Sequence, residues 1–69
     1  MKVYAAYFVD KGWTTLDGLY DAATHTLEAV LSRTCKEGKW LPYSGGGFIC
    51  ELVNDSRGDY CTVKLEQIQ

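Results

Sequence analysis

Three cysteines and a single histidine are the first candidates in this sequence for a thiolate or imidazole metal site or for redox chemistry. Cys50 and Cys61 each lie in an apolar segment of strand length, at positions that predict both side chains on the same face of a hairpin. Cys35 lies beside an apolar stripe at helical spacing. There is no Cys-x-x-Cys spacing and His25 is the one imidazole, so a thiolate metal site lacks its usual ligand pattern. We therefore expect three buried thiols that pack as small apolar side chains in a reducing compartment, and a Cys50–Cys61 disulfide stays open as an alternative.

His25 is also the one candidate for a histidine general base, and such a base needs a nucleophile and an orienting acid. Asp21 and Glu28 lie four residues before it and three residues after it, but no serine or cysteine nucleophile stands in a recognisable motif. The run Ser-Gly-Gly-Gly at 44–47 lacks the Lys-Ser/Thr of a phosphate-binding loop and precedes a predicted strand. The sequence therefore predicts a protein that is not an enzyme and has no cofactor or metal, with His25 as a solvated residue at a helix start.

Length and composition limit the classes of protein that remain. Because the chain has 69 residues, we predict one domain, residues 1–69. Its net charge of −2 and sequence pI of about 5.1 argue against a general polyanion binder. Hydrophobic residues make up 46% of the chain, which is typical of a sequence that folds. No apolar run approaches the roughly 20 residues that span a bilayer, so we expect a soluble, cytoplasmic protein with no membrane partner.

The elements that would position these residues begin with a strand. Residues 3–9 form a continuous apolar run, which favours a central strand with apolar side chains on both faces. Residues 13–23 fit either a second strand, paired to the first as a hairpin, or an irregular loop. We prefer the strand.

A helix is predicted near residues 26–37. Thr24 or Thr26 can cap its N-terminus, and Gly38 lies where a left-handed residue would end it. One apolar stripe at helical spacing gives it a buried face, and that stripe consists of Leu27, Val30, Leu31 and Thr34.

Two further strands, at 48–53 and 60–65, are predicted to form a terminal hairpin around the loop at 54–59. We expect Val53 opposite Tyr60, which places Cys50 opposite Val63 and one set of apolar side chains on a single face. The predicted fold class is therefore α+β: an antiparallel sheet of three to four strands in β(β)αββ order, with one helix packed on one face.

The aromatic residues indicate how such a domain could act. Two Trp, five Tyr and two Phe are more than a single layer of this size can bury, so several are candidates for an interface. Residues 12–32 carry three acids and no base, whereas residues 33–40 carry three bases and one acid, so a local electrostatic contact is open. The predicted partner-binding residues are Trp13, Tyr20, Arg33, Lys36, Lys39, Trp40, Tyr43, Arg57, Asp59 and Tyr60. A homodimer would also cover the surplus aromatics.

The layout of the chain resembles that of a known group of proteins. A short apolar first strand at 1–7, the run Asp-Ala-Ala-Thr at 21–24 leading into Leu-Glu-Ala at 27–29, and a terminal hairpin are similar to small phage-encoded anti-CRISPR proteins of β-α-β-β order. The resemblance covers most of the chain in layout and carries no specific motif. It implies a viral, non-enzymatic inhibitor in the cytoplasm of the host cell, which occupies a surface of a host or CRISPR-effector protein.

Two functions are therefore weighed. The first is a small protein-binding inhibitor that blocks its target by occupying a surface of it. The alternative is a small nucleic-acid-binding regulator that uses Arg33, Lys36, Lys39 and Arg57, with an affinity that falls steeply as salt rises.

Overall fold

The computed structural model describes all residues from 1 to 69 and contains one five-stranded antiparallel sheet and one helix. The spatial order of the strands is β2-β1-β5-β4-β3, so β1 has a neighbour on each side, as predicted. The elements are β1 (Lys2–Asp10), β2 (Trp13–Asp21), α1 (Leu27–Thr34), β3 (Leu41–Pro42), β4 (Phe48–Glu51) and β5 (Tyr60–Gln67).

β1 and β2 form a long hairpin, which confirms the strand at 13–21 over the alternative of an irregular loop. Lys11 and Gly12 both have positive φ angles, the conformation that lets a two-residue turn follow the twist of the strands. The pairing slips where Ala6 faces Gly18 and Tyr7 faces Leu16, so β2 holds one extra residue there and bulges.

α1 is shorter than the helix that the sequence predicts. Thr26 is the N-cap, since its side chain accepts a hydrogen bond from the Ala29 amide at 3.1 Å. The helix ends at Thr34 because Cys35 is extended (φ −150°), so Gly38 is not the helix terminator that we expected. The chain instead turns back over the sheet at this point.

The terminal hairpin has a different register from the predicted one. Cys50 faces Cys61, and Phe48 faces Val63. The Leu52 amide donates to the Asp59 carbonyl at 2.9 Å, so the ladder runs on to Asp59 and the predicted Cys50–Val63 pairing is wrong by two residues. A shift of two keeps every side chain on its predicted face, because strand side chains alternate with a period of two.

A fifth strand, β3, lies in the segment that we expected to be a connection. It pairs only two residues, Leu41 with Ile49 and Pro42 with Phe48. Pro42 has no amide proton to donate, so this strand can only form an edge and stays short. The sheet therefore has five strands where three to four were predicted, and the predicted combination of one antiparallel sheet with one helix is confirmed.

The core lies between α1 and one face of the sheet. It has two clusters, and the side chain of Trp40 packs against both. The Trp40 indole nitrogen also donates to the Cys35 carbonyl at 3.4 Å, which ties the chain after the helix to the core. The buried members of the clusters are Ala6, Val30 and Val63 in one, and Phe8, Cys50 and Cys61 in the other.

Candidate functional site

The face of the sheet opposite α1 has no helix packed on it, and we call it the open face. Its members follow from the strand pairing, because residues directly opposite each other on adjacent strands point to the same side. Ala5 lies at its centre and is fully buried, since it is flanked by the larger side chains of Leu19 on β2 and Lys64 on β5. The other members are Val3, Tyr7, Val9, Thr14, Leu16, Asp21, Leu41, Ile49, Glu51, Tyr60, Thr62 and Glu66.

Large apolar side chains remain exposed to solvent on this face. Leu16 and Leu19 on β2 are 50% and 49% exposed, and Leu41 on β3 is 52% exposed. Val53 and Tyr43, in the loops beside β4, are also exposed. The open face therefore carries an apolar surface at both edges of the sheet.

Two depressions lie between these edges, and Tyr60 forms part of both. The first has a volume of about 380 Å³, and Tyr7, Thr62 and Lys64 contribute to its floor. The second has a volume of about 650 Å³, and its apolar part is formed by Leu41, Ile49 and Val53. Both are open to solvent, so they suit the side chains of a partner better than an enclosed small molecule.

The charges in the first depression neutralise one another. The Tyr7 hydroxyl donates to Glu66 Oε2 at 2.6 Å, and this hydrogen bond, with burial, raises the pKa of Tyr7. Lys64 Nζ lies 3.9 Å from the same Glu66 oxygen and 5.9 Å from the centre of the Tyr7 ring. Lys64 is therefore held by a carboxylate and an aromatic ring rather than left free for an anionic ligand.

The rim of the second depression is more acidic than basic. Glu51 and Asp59 contribute carboxylates, and Lys39 is the one cation among the lining residues. Asp59 also accepts a hydrogen bond from the Lys11 amide at 3.0 Å, which holds its carboxylate at the end of the β1–β2 hairpin. An apolar floor with this rim complements a partner surface that is apolar at its centre and basic around it.

Four of the residues predicted to bind a partner belong to this face. Tyr43 and Tyr60 line the first depression, and Tyr60, Lys39 and Asp59 line the second. The apolar residues beside them were not among the predicted partner-binding residues, because those were chosen from aromatic and charged side chains in or next to connections. The residues that could have indicated this surface are Leu16 and Leu19. They lie on β2 at the edge of the sheet and are about half exposed.

Three other predicted residues make contacts within the protein. Trp40 packs in the core, as described above. Tyr20 is half-buried on the helix side, where its ring meets His25 edge-on at 5.4 Å and the Arg33 guanidinium at 5.7 Å. Arg57 bonds the end of α1, with Nη1 donating to the Thr34 carbonyl at 2.9 Å.

The remaining predicted residues are exposed and lie away from the open face. Lys36 follows the helix, and Arg33 is on its last turn. Trp13 begins β2 and is 80% exposed, the most exposed of the large apolar side chains. These residues do not form one surface with Tyr43 and Tyr60.

The candidate catalytic and metal-binding residues form no site. His25 Nδ1 lies 3.1 Å from the Asp21 carbonyl oxygen and 3.0 Å from Thr24 Oγ1, so the ring bonds its own turn. All three cysteines are free, and no group of three or more His, Cys, Asp or Glu side chains is placed to hold a metal ion. Burial raises the pKa of the Cys50 thiol and raises that of Cys61 to about 12.

These features define a small antiparallel-sheet protein with one helix-covered face and one open face. Its one helix has eight residues and does not have the length to cross a membrane. Comparison with protein-family models, curated proteins and solved structures finds no match to this chain.

Proposed function

We propose that this protein is a non-enzymatic protein-binding module, and that its open face covers an apolar, basic-rimmed surface of a partner protein. The observation that supports this function is the one-sided packing of the sheet. α1 packs on β1 and β5 from one side only, while Leu16, Leu19 and Leu41 remain about half exposed on the other. Burying such side chains gains about 25 cal/mol for each Å² of apolar surface, which favours association with a second apolar surface.

A protein partner fits this face better than a nucleic acid does. Binding of single strands needs basic side chains and stacking aromatics on the same surface. Here Lys64, beside Tyr7, is paired with Glu66, and the guanidinium groups of Arg33 and Arg57 make their contacts on the helix side, with Tyr20 and with the end of α1. Of the four basic residues of the nucleic-acid-binding alternative, Lys39 alone lies beside Tyr60 on the open face, so most of its charges are away from its aromatics.

The mode of action that we propose is occupation of a surface. A rigid sheet changes little on docking, so the partner loses access to whatever the covered surface would bind. Tyr60 is the central anchor in this scheme, because it lines both depressions and tyrosine is enriched at the energetically important points of interfaces. The inhibition of a host or CRISPR-effector protein, which the resemblance implies, is a special case of this proposal.

The test compares two leucines that are each 52% exposed. Leu41 lies on the open face and Leu65, on β5, points to the helix side. A tagged full-length chain is used to capture proteins from nuclease-treated lysate of its source cell, and the captured protein is then purified and titrated against each variant. We expect Leu41→Lys to weaken binding by at least about tenfold and Leu65→Lys to leave it within about twofold.

The charge of the rim is tested with Glu51→Lys, which should also weaken binding, and more so at low salt. Equal loss in both leucine variants, or tighter binding by Glu51→Lys, would contradict the proposal. A protein that is captured from untreated lysate but not from nuclease-treated lysate would replace the proposal with nucleic-acid binding. A wild-type chain that sediments as a dimer, with Leu41→Lys as a monomer, would assign the open face to a second copy instead.

A further inference from the structure

Two cysteine thiols lie side by side where the end of α1 meets β4. Cys50 Sγ is 3.9 Å from Cys35 Sγ and 3.5 Å from the Glu51 carbonyl oxygen. Cys35 is half-buried in the chain that leaves the helix, whereas Cys50 is buried on β4. Cys35 is therefore the more exposed residue of the pair.

Gly38 lies against this pair and leaves room for the two sulfurs to approach. A Cβ atom built on Gly38 would overlap Cys50 Sγ and lie 2.8 Å from Cys35 Sγ. Every other residue type at this position would push a side chain against both sulfurs. The turn formed by the Gly38 amide, which donates to the Cys35 carbonyl at 3.2 Å, thus fits closely around the thiol pair.

Cys61 is the nearest third thiol, but its position does not suit a bond to Cys50. The two residues are directly opposite each other on β4 and β5. Hydrogen-bonded pairs recur every two residues along an antiparallel ladder, and the Leu52 amide donates to the Asp59 carbonyl two residues further along, so Cys50 and Cys61 also form a hydrogen-bonded pair. In such pairs the Cβ atoms are held near 5 Å, outside the range of roughly 3.5–4.5 Å that a disulfide requires. Cys61 is also fully buried.

We propose that Cys35 and Cys50 are a redox modification site, and that a hydroperoxide converts them into a reversible disulfide that ties the end of α1 to β4. In the first step, the Cys35 thiolate attacks the peroxide oxygen and the O–O bond breaks. Cys35 becomes a sulfenic acid, and the peroxide leaves as an alcohol, or as water when it is hydrogen peroxide. In the second step, Cys50 gives up its proton and attacks Cys35 Sγ, so that the S–S bond forms and water leaves.

The order of the two steps follows from exposure. Cys35 is the more exposed residue of the pair, so it is the one that we expect peroxide to reach first, whereas Cys50 is buried on β4 against Gly38. Burial raises the pKa of Cys50, which lowers its thiolate fraction and disfavours direct oxidation of this thiol by peroxide. In the second step Cys50 has the advantage of lying beside Cys35 Sγ. The sulfurs must move closer by nearly 2 Å to bond, and Cys35 lies in irregular chain that can supply this movement.

The experiment treats the reduced full-length chain with hydrogen peroxide at neutral pH, alkylates the remaining thiols under denaturing conditions, and maps the peptides by mass spectrometry. We expect a loss of about 2 Da, a linked peptide pair that contains Cys35 and Cys50, and alkylation at Cys61 alone. Dithiothreitol should restore all three thiols. The disulfide closes a loop of about 15 residues, so Tm should rise by about 10 °C on oxidation.

Cys61→Ala is the matched control and should form the same disulfide, whereas Cys35→Ser should form none and show no oxidation-dependent rise in Tm. The peptide map of the wild-type chain decides the question even if a variant fails to fold. A Cys50–Cys61 link, disulfide-linked dimers, or conversion of Cys35 to a sulfinic acid with a gain of about 32 Da and no link would each overturn the proposal.

Discussion

Arg57 shows at the scale of a residue why chain position is a poor guide to role. It lies in a loop with Gly and Asp, so sequence analysis placed it at a partner surface. In the structure its guanidinium covers the Phe8 ring at 4.8 Å and donates to the carbonyl of Thr34 at the end of α1. A cation is favoured there by the helix dipole and by the ring, neither of which is near Arg57 in the sequence.

Asp55 holds this arginine and should make the stability of the protein depend on acid pH. Hydrogen bonds from the Arg57 side chain and backbone lower the pKa of Asp55 from 3.8 to about 2. Because the folded state favours the ionised carboxylate, the stabilisation is complete above about pH 5 and is lost as the pH falls towards 2. We expect the Tm difference between wild type and Asp55→Asn to be largest near neutral pH and to shrink below pH 4.

Thermal unfolding followed by circular dichroism between pH 2 and 6 measures this difference. Ser56→Ala, in the same loop, serves as the control, since it removes no ionisable group. A Tm difference for Asp55→Asn that stays constant over the whole range would mean that the ion pair does not stabilise the fold.

At the scale of an element, the sequence predicts the body of α1 better than its ends. The apolar stripe predicts α1 correctly because spacing alone defines a buried face. Thr24 and Thr26 are chemically equivalent as caps, and only the backbone decides between them: Thr26 has the extended geometry and bonds the Ala29 amide. Thr24 Oγ1 instead donates to the Asp21 carbonyl at 3.4 Å.

Replacing the cap should therefore cost more than replacing its neighbour. Thr26→Ala leaves an amide of the first turn without its partner and should lower the free energy of unfolding by about 1 kcal/mol. Thr24→Ala should lower it by less than about 0.5 kcal/mol. Urea titration of both variants checks this, and an equal loss in the two would show that Thr26 is not the dominant cap.

The β3–β4 turn offers a second comparison at this scale, between two glycines with positive φ. Gly46 has a φ of 104° and no atom near its missing Cβ, whereas Gly47, with a φ of 75°, packs directly on the Val63 carbonyl oxygen. We expect Gly46→Ala to cost about 1 kcal/mol, which is the backbone term alone. Gly47→Ala adds a clash with β5 and should cost more than about 2 kcal/mol in the same urea titration. Similar values would mean that β4 and β5 can separate locally.

The whole molecule was predictable where local patterns decide it. The alternation in β4 and β5 gave the correct faces, and the apolar run at residues 3–9 gave the central strand. The open face was not predictable, because Val3, Ala5 and Val9 are as apolar as residues under a helix. Ala5 is buried only because Leu19 and Lys64 flank it, and that depends on which strands lie beside β1.

The order of the strands makes the fold depend on its last element. β5 lies between β1 and β4, and its Gln67 pairs with Lys2 on β1. The five-stranded sheet is therefore complete only when the two ends of the chain have come together. Without β5, the backbone link between the β1–β2 hairpin and the β3–β4 ribbon is reduced to Asp59, whose amide donates to the Val9 carbonyl and whose carbonyl accepts from the Leu52 amide. Two-stranded ribbons of this kind are marginal in water, because too little apolar surface is buried to offset the entropy of ordering them.

We therefore expect a chain that ends at Asp59 to be unfolded, with no strand signal in the far-ultraviolet circular dichroism spectrum. A chain that ends at Gln67 is the control. It loses the hydrogen bonds between Met1 and Ile68 but keeps β5, so it should remain folded and unfold in a single transition. Strand signal that persists in the shorter chain would show that the β1–β2 hairpin and α1 form a stable unit without β5.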